Sequence, residues 1–273
     1  MQLHIIEMSD TKAKLLIEDG KPSIINALRR AMMSDVPKMA IEDVEFHLGP
    51  IRDEEGKEYE SSSPLFDEII AHRLGLLPVP TDLDTLNFRK ECACGGDGCP
   101  NCTIMYSLNK RGPCTVYSRD LEPVGDSTLA IIDPDVPITR LNEGQALLIY
   151  ATAEIGRGRD HVKWQAANAL GLEVETTLKI NKKDDVEDFI KHFKEKHPDV
   201  QPGPTMESLQ SFLITQEAEE LMKSGAIEKI TDNNKVYMTY ETDGSLKAKR
   251  VLIEALKILE LQFNEFIDMA DKL

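Results

Sequence analysis

A regular apolar repeat occupies the C-terminal end of the chain. Its members follow one another at steps of four, three, four, four, three and four residues: Ala248, Leu252, Ala255, Leu259, Phe263, Phe266 and Ala270. This spacing is close to a heptad repeat and predicts one amphipathic helix of about six or seven turns, which is long for a globular domain. Such a helix has an apolar face to bury, so it needs a partner element in this chain or in a second one.

A shorter amphipathic stretch near the N-terminus, residues 23–34, is a candidate for that partner. Its apolar side chains fall on one stripe at helical spacing: Ile24, Ile25, Leu28, Ala31 and Met32. Ser23 is the predicted N-cap, and Pro37 stops the helix from running much further. Arg29 and Arg30 are adjacent, so they point about 100° apart and at least one of them is available to hold a partner. The alternative is an ordinary core helix with solvated arginines.

Two motifs resemble the signatures of a known family. Residues 26–30, Asn-Ala-Leu-Arg-Arg, followed by Val-Pro at 36–37 and Ala-Ile at 40–41, resemble the opening signature of the alpha-type assembly subunits of cellular RNA polymerases. Residues 67–78, Asp-Glu-Ile-Ile-Ala-His-Arg-Leu-Gly-Leu-Leu-Pro, resemble the second signature, in the same order along the chain. Within this group the chain is most similar to the archaeal members, the counterparts of bacterial alpha and of the third-largest eukaryotic subunit, over essentially its whole length.

The resemblance implies an α+β fold in three parts. An alpha-subunit-type dimerisation domain is discontinuous and is built from residues 1–43 and 233–273. A β-rich domain with the cysteine cluster is inserted at 44–172. A small α/β insertion at 173–232 takes the position where some relatives carry a ferredoxin-like domain with iron–sulfur clusters. Iron–sulfur ligation needs cysteine thiolates, and this segment has none, so no iron–sulfur cluster is expected.

The resemblance also implies assembly rather than catalysis. The two terminal helices would pair with the equivalent helices of a small subunit, L, to form a heterodimer. That platform would bind the small subunits N and P and recruit the second-largest catalytic subunit, as part of the nucleotidyltransferase holoenzyme. The residues predicted for the subunit seam are Ile24, Leu28, Leu252, Leu259, Phe263 and Phe266. Arg29 or Arg30 is predicted to reach a large subunit.

Four cysteines lie within eleven residues and predict a metal site. They are Cys92, Cys94, Cys99 and Cys102. Four thiolates can close a tetrahedral site, and the Cys-x-x-Cys half is typical of a zinc knuckle. The glycines at 95, 96 and 98 let the backbone fold tightly enough to bring both pairs onto one ion. One structural Zn²⁺ is therefore predicted. The pattern of the four cysteines resembles the zinc site of some family members. The alternative is a loop of unliganded thiols. A catalytic zinc is disfavoured because four cysteines leave no position for water.

The charge balance argues against direct contact with nucleic acid. Acidic residues outnumber basic ones by 48 to 32, which gives a formal net charge of −16, and no long basic cluster offsets it. The N-terminus has no signal peptide, and no apolar run reaches the ~20 residues of a membrane helix, so no membrane contact is expected. Clustered cysteines favour a metal site in a reducing cytoplasm over a disulfide framework.

Two other functions stay open from the residues alone. A metal-dependent or redox enzyme built on the cysteines is one, but the sequence has no nucleophile–base pair, phosphate loop or acidic metal triad. A stand-alone zinc-containing protein-interaction adaptor is the other, and only the identity of its partners separates it from a polymerase subunit.

The remaining pattern predicts short elements. Strands are predicted at 2–7, 12–17, 41–48, 103–108, 115–118, 129–132, 146–152, 178–181 and 236–242. Helices are predicted at 66–74, 182–197 and 207–224. Residues 52–63 are predicted as a loop, 198–204 as a linker and 232–234 as a turn.

Overall fold

The computed structural model of the protein describes residues 1–52, 55–198, 205 and 216–272. The chain divides into two compact units. The smaller unit comprises Met1–His4, Leu15–Lys21 and Leu172–Met238. The larger unit comprises Ile5–Lys14, Pro22–Gly171 and Thr239–Leu273. No helix among the residues that the structure describes is both long and apolar enough to span a membrane.

The protein is α+β, as predicted. The strands are β1 (Gln2–Met8), β2 (Lys12–Glu18), β3 (Pro37–Phe46), β4 (Ile51–Arg52), β5 (Glu58–Ser61), β6 (Thr103–Arg111), β7 (Cys114–Tyr117), β8 (Glu122–Pro123), β9 (Pro137–Leu141), β10 (Gln145–Arg157), β11 (Asn168–Ile180) and β12 (Ile227–Glu241). The helices are α1 (Pro22–Ser34), α2 (Asp67–Gly75), α3 (Lys183–Lys196), α4 (Gln216–Lys223) and α5 (Ala248–Ala270). Short 3-10 helices cover Arg89–Glu91, Ser118–Asp120, Ser127–Leu129 and Val162–Trp164.

The strands form three sheets within the described residues. A four-stranded sheet has the order β1-β2-β12-β11. A six-stranded sheet has the order β4-β5-β10-β6-β8. Its sixth strand, β3, pairs with residues 149–157 of β10, beyond the two residues that pair with β5. Strands β7 and β9 form a separate antiparallel pair. Strand β10 pairs antiparallel with both β3 and β6, so it is the centre around which the β-rich part of the larger unit is built.

The core of the larger unit lies between the six-stranded sheet, α2 and the β7–β9 pair. Its members are buried apolar side chains spaced two apart along the strands, as expected for sheets with one covered face. Tyr106 is buried within this cluster, and its hydroxyl donates a hydrogen bond to the carbonyl of Leu129 at 2.7 Å, which satisfies its polar end. The smaller unit has its own core: Val186, Leu221, Ala226 and Ile227.

The two terminal helices pack against each other inside the larger unit. Helix α1 buries Ile25, Leu28, Ala31 and Met32. Helix α5 buries Ala248, Val251, Leu252 and Ala255, all in its N-terminal half. The periodicity therefore predicted both helices, but only part of each predicted apolar face is buried: Ile24 on α1 and the C-terminal half of the α5 repeat are exposed. The prediction of Ser23 as the N-cap is wrong, because the helix begins at Pro22, whose fixed φ and missing N–H suit the first turn.

Several short elements differ from the sequence prediction. The predicted loop at 52–63 contains β5 and the last residue of β4. Pairing of β4 with β5 and of β5 with β10 forms them, rather than an apolar pattern. The predicted strand at 129–132 is wrong. Asp126 accepts a hydrogen bond from the N–H of Thr128 at 2.9 Å and starts a 3-10 helix there, so a local side-chain contact overrides a short apolar run.

The predicted turn at 232–234 lies inside β12, which runs continuously from Ile227 to Glu241. Strand β11 is likewise longer than the strand predicted at 178–181, because it begins at Asn168. Helix α3 matches the predicted helix at 182–197 to within one residue at each end. Helix α4 is the C-terminal part of the helix predicted at 207–224, whose residues 207–215 lie outside the described residues, as do residues 199–204 of the predicted linker.

Gly156, near the end of β10, lies against the indole of Trp164. A Cβ at this position would come within 2.3 Å of two indole ring carbons, and the indole is fixed by a hydrogen bond from its Nε1 to the carbonyl of Glu154 at 3.1 Å. We expect Gly156→Ala to lower the free energy of unfolding by about 1–3 kcal/mol, the usual cost of overpacking, as measured by thermal or denaturant unfolding. Gly75→Ala is the matched control, because its Cβ meets its nearest atom at an ordinary 3.5 Å. Equal stability of the two variants would contradict the packing described here.

Candidate metal centre and helical interface

The four clustered cysteines meet at one point of the larger unit. Their sulfur atoms all lie within 4.8 Å of one another. The Sγ atoms of Cys92 and Cys99 are 3.6 Å apart, those of Cys94 and Cys102 are 3.7 Å apart, and those of Cys99 and Cys102 are 3.9 Å apart. A metal ion bound tetrahedrally by four thiolates at about 2.3 Å separates the sulfurs by about 3.8 Å. The cluster is therefore compatible with a structural metal ion.

The backbone of the cysteine loop takes conformations that glycine permits. Gly95, Gly96 and Gly98 have φ values of +72°, +94° and +87°, in the region that other residues rarely adopt. The N–H of Cys102 donates to the carbonyl of Cys99 at 2.9 Å, which closes the turn of the Cys-x-x-Cys half. The glycines thus bring the two cysteine pairs together, as the sequence predicted.

Arg89 fastens the cysteine loop to the sheet. Its Nε donates a hydrogen bond to the carbonyl of Gly96 at 2.9 Å. Its Nη1 lies 3.3 Å from a carboxylate oxygen of Glu154 on β10 and 3.5 Å from one of Asp43 on β3. One guanidinium therefore joins the loop to two strands. The sequence analysis missed this residue, since its proximity to Glu154 and Asp43 depends on strand pairing that no local pattern reveals.

The thiols of the cluster differ strongly in acidity. Hydrogen bonds from the backbone of Cys99, Gly98 and Gly96 stabilise the thiolate of Cys94 and lower its pKa to about 5. Burial raises the pKa of the Cys102 thiol to about 12, because a lone thiolate there would lose its hydration. A metal cation bound by all four sulfurs would supply the positive charge that a thiolate at buried Cys102 needs.

Cys114 is separate from the cluster. It begins β7, packs partly against the core of the larger unit, and its Sγ lies 3.3 Å from the carbonyl oxygen of Arg111. It therefore serves as a small, partly buried residue at the edge of the core.

The predicted seam residues fall into two groups. Leu28 and Leu252 are only 7% and 5% exposed, because they face the α1–α5 contact inside this chain. Phe263 and Phe266 are 56% and 68% exposed, and Leu259 between the two groups is half-buried. Ile24 on α1 is also exposed. The N-terminal half of the apolar repeat is thus covered by the chain itself, and the C-terminal half is not.

The exposed half of α5 carries more apolar surface than the repeat alone indicates. Every residue from 260 to 270 is exposed. Besides the two phenylalanines, these include Leu261, Ile267 and Met269, which are all more than half exposed. Sequence reasoning limited to the heptad positions missed these three. The signal that would have found them is the high apolar content on more than one side of the last three turns.

The two adjacent arginines of α1 differ in their contacts. The Nε of Arg29 donates to the side-chain oxygen of Asn26 at 3.0 Å, and its Nη1 lies 3.3 Å from the sulfur of Met33. Arg30 is exposed and forms no hydrogen bond or ion pair with any residue that the structure describes. Arg30 is therefore the arginine left available for a partner.

The segment around Trp164 is structural rather than catalytic. The Nδ1 of His161 accepts a hydrogen bond from the N–H of Lys163 at 3.1 Å and caps the 3-10 helix that holds the indole in place. Arg159 pairs with Asp35 of the same chain, with its Nε 3.1 Å from the carboxylate, and the guanidinium of Arg157 stacks on the ring of Phe88 at 4.7 Å.

Comparison with known proteins places these features in a family. A family model described as "RNA polymerase Rpb3/RpoA insert domain" matches residues 55–175, which include the cysteine cluster. The chain is 42% identical to DNA-directed RNA polymerase subunit Rpo3 of Picrophilus torridus, with 97% of this chain and 98% of the relative covered. It is 41% identical to the Rpo3 subunit of Thermoplasma volcanium, with 95% of each covered, and 34% identical to that of Methanosarcina acetivorans, with 100% and 99% covered. The chain therefore belongs to the Rpo3 family, the archaeal alpha-type subunits of DNA-directed RNA polymerase.

Proposed function

We propose that this chain is a non-catalytic assembly subunit of DNA-dependent RNA polymerase and that it acts in transcription. Its relatives carry the name of a polymerase subunit and align along nearly all of both chains. The observation that carries the proposal is the C-terminal half of α5, which displays large apolar side chains that no described residue covers. Contiguous exposed apolar surface of this kind is typical of a binding face.

The proposed partner at this face is the small subunit L. Its equivalent helices would pack on the exposed end of α5 and form a heterodimer. The seam would comprise Ile24, Leu28, Leu252, Leu259, Phe263 and Phe266. Leu28 and Leu252 would act from within, by holding α1 and α5 together, while Phe263 and Phe266 would enter the partner directly. The dimerisation domain would then be residues 1–43 and 233–273.

Arg30 on α1 would supply a polar contact next to this seam. Arg30 would reach a large subunit, because its guanidinium is free to bind a carboxylate, while Arg29 would stay in its contacts with Asn26 and Met33. The platform would bind the small subunits N and P and recruit the second-largest catalytic subunit. Residues 44–172 would form the inserted domain and 173–232 a third domain.

The cysteine cluster is proposed to hold one structural Zn²⁺ through Cys92, Cys94, Cys99 and Cys102. The sulfur–sulfur distances of 3.6–3.9 Å fit a tetrahedral ion. Four thiolate ligands leave no site for a water molecule, so the ion would stabilise the loop between Arg89 and β6 and take no part in catalysis. Residues 173–232 contain no cysteine and would bind no iron–sulfur cluster.

The first test is purification of the chain, tagged at its N-terminus, from the cells in which it occurs naturally. We expect the large polymerase subunits and one small alpha-like subunit in equal amounts, and about one zinc per copy of this chain beyond that of its partners. Mass spectrometry of the eluate and metal analysis provide the two readouts. Recovery of the chain alone or as a homodimer would contradict the proposal and would favour a stand-alone zinc-containing adaptor.

A further inference from the structure

A pocket without acidic residues lies in the larger unit, where the last turn of α2 approaches the β7–β9 pair. Its volume is about 560 Å³, and none of the residues that line it is Asp or Glu, although the whole chain carries a net charge of −16. Arg73 and Arg140 line it together with Thr115 and Thr139. Leu65 and Pro137 form apolar walls. The pocket is therefore locally cationic in an acidic protein.

Both arginines of the pocket lack a carboxylate partner among the described residues. Nη1 of Arg73 donates a hydrogen bond to the carbonyl of Ile138 on β9 at 2.7 Å, which fixes its guanidinium beside the pocket and leaves its charge uncompensated. Arg140 forms no ion pair with any residue in the described part of the chain. Some other arginines of the larger unit do have such a partner: Arg119 pairs with Asp135 and Arg250 with Asp84.

Thr115 adds a hydroxyl donor to the pocket. It lies on β7 and is exposed. Thr115 lies directly opposite Arg140 in the β7–β9 register, so its hydroxyl and the guanidinium line the same side of the pocket.

We propose that this pocket receives the carboxylate of an acidic side chain from a protein partner. Two guanidinium forks and the hydroxyl of Thr115 match the geometry of a carboxylate, and the apolar walls suit the aliphatic stem and flanking residues of a peptide. A nucleic acid would experience the repulsion of the whole acidic chain, whereas a single carboxylate in contact with the arginines is screened from charges beyond about 8 Å at physiological salt. The inference rests on the proposed function, because the partner is a protein of the assembled polymerase.

The test uses polymerase assembled with this chain carrying a photo-crosslinking amino acid in place of Thr115. The polymerase is purified through the tagged chain and irradiated, and the crosslinked peptides are identified by mass spectrometry. We expect one main adduct, on a segment of another protein with an Asp or Glu within a few residues of the crosslink. Arg140→Glu should lower the adduct yield at least about tenfold, since it replaces the guanidinium by a like charge that repels the carboxylate.

Arg119→Glu is the matched control. Arg119 belongs to the same unit but is paired with the exposed Asp135 and does not line the pocket, so its reversal should leave the adduct unchanged. An assembled polymerase with no adduct, an adduct that persists in Arg140→Glu, or an adduct to nucleic acid would overturn the inference. Absence of polymerase subunits from the purified material would instead refute the proposed function, so the two failures are distinguishable.

Discussion

Replacing Cys102 by serine is expected to abolish binding of the proposed metal ion and to open the cysteine loop. Cys102 is fully buried, and its sulfur lies 3.7 Å from that of Cys94 and 3.9 Å from that of Cys99, so it belongs to both halves of the cluster. Serine is a poor ligand for a soft thiolate site. Changes outside the ligand shell already cost about 10–100-fold in metal affinity, so we expect the loss of a ligand to exceed about 100-fold.

The loss of metal is also expected to destabilise the surrounding loop. Binding energy of a structural metal is folding energy, because the ligands come together only in the folded chain. The glycines at 95, 96 and 98 hydrogen-bond within the cysteine loop, to Cys92 and Cys94, and Arg89 adds a hydrogen bond to Gly96 from outside it. Metal analysis of the purified chain and limited proteolysis between Arg89 and β6 measure the two effects.

Cys114→Ser is the matched control for this substitution. Its sulfur is outside the cluster and lies beside the carbonyl of Arg111, where a hydroxyl can make the same contact. It should therefore keep one metal ion per chain and an intact loop. A Cys102→Ser protein that retains a full equivalent of metal would show that the four cysteines do not form the site.

The sequence predicted the parts of the structure whose cause is local. Helices α1, α2 and α5 were predicted to within one or two residues, because apolar spacing fixes which residues face one side of a helix. The meeting of Cys92, Cys94, Cys99 and Cys102 was predicted because the intervening chain is too short to place them apart and the glycines permit the turn. These features need no information about distant residues.

The parts that were not predicted depend on long-range pairing. The clamp of Arg89 on Glu154 requires β6, β3 and β10 to lie together, and nothing near Arg89 in the sequence indicates that arrangement. Strands β4 and β5 carry no apolar repeat and exist because β5 pairs with the edge of β10 and β4 pairs with β5. The apolar repeat of α5 predicted which face of the helix is apolar, but not which part of that face the rest of the chain covers. The difference between buried Leu252 and exposed Phe263 therefore appeared only in the fold.

That difference determines how the proposed seam is best tested. Leu252 is 5% exposed, so an aspartate there would bury a charge inside the chain and unfold the α1–α5 contact before any partner is involved. Phe263 and Phe266 are mostly exposed, so aspartate at either position would remain hydrated in the free chain. Substitution at the exposed end of α5 therefore separates association from folding.

Phe263→Asp combined with Phe266→Asp is expected to abolish the heterodimer with the small subunit L and to leave the fold intact. In the complex the two carboxylates would lie without partners in an apolar seam, and each buried unpaired charge costs several kcal/mol. A loss of about 4 kcal/mol or more lowers the association constant by at least about 10³-fold. Co-purification of the two subunits measures association, and circular dichroism with thermal unfolding of the free chain measures the fold.

Leu261→Asp is the control that tests which face of α5 binds. Leu261 is exposed on the same part of the helix, but it lies about 160° around the axis from Phe263 and about 140° from Phe266. A seam on the phenylalanine face predicts that Leu261→Asp binds subunit L normally. Equal loss in both proteins would mean that the partner surrounds the end of the helix, and normal binding by the double variant would move the seam away from α5. Only loss confined to the phenylalanine face agrees with a partner helix packed along the uncovered half of the apolar repeat.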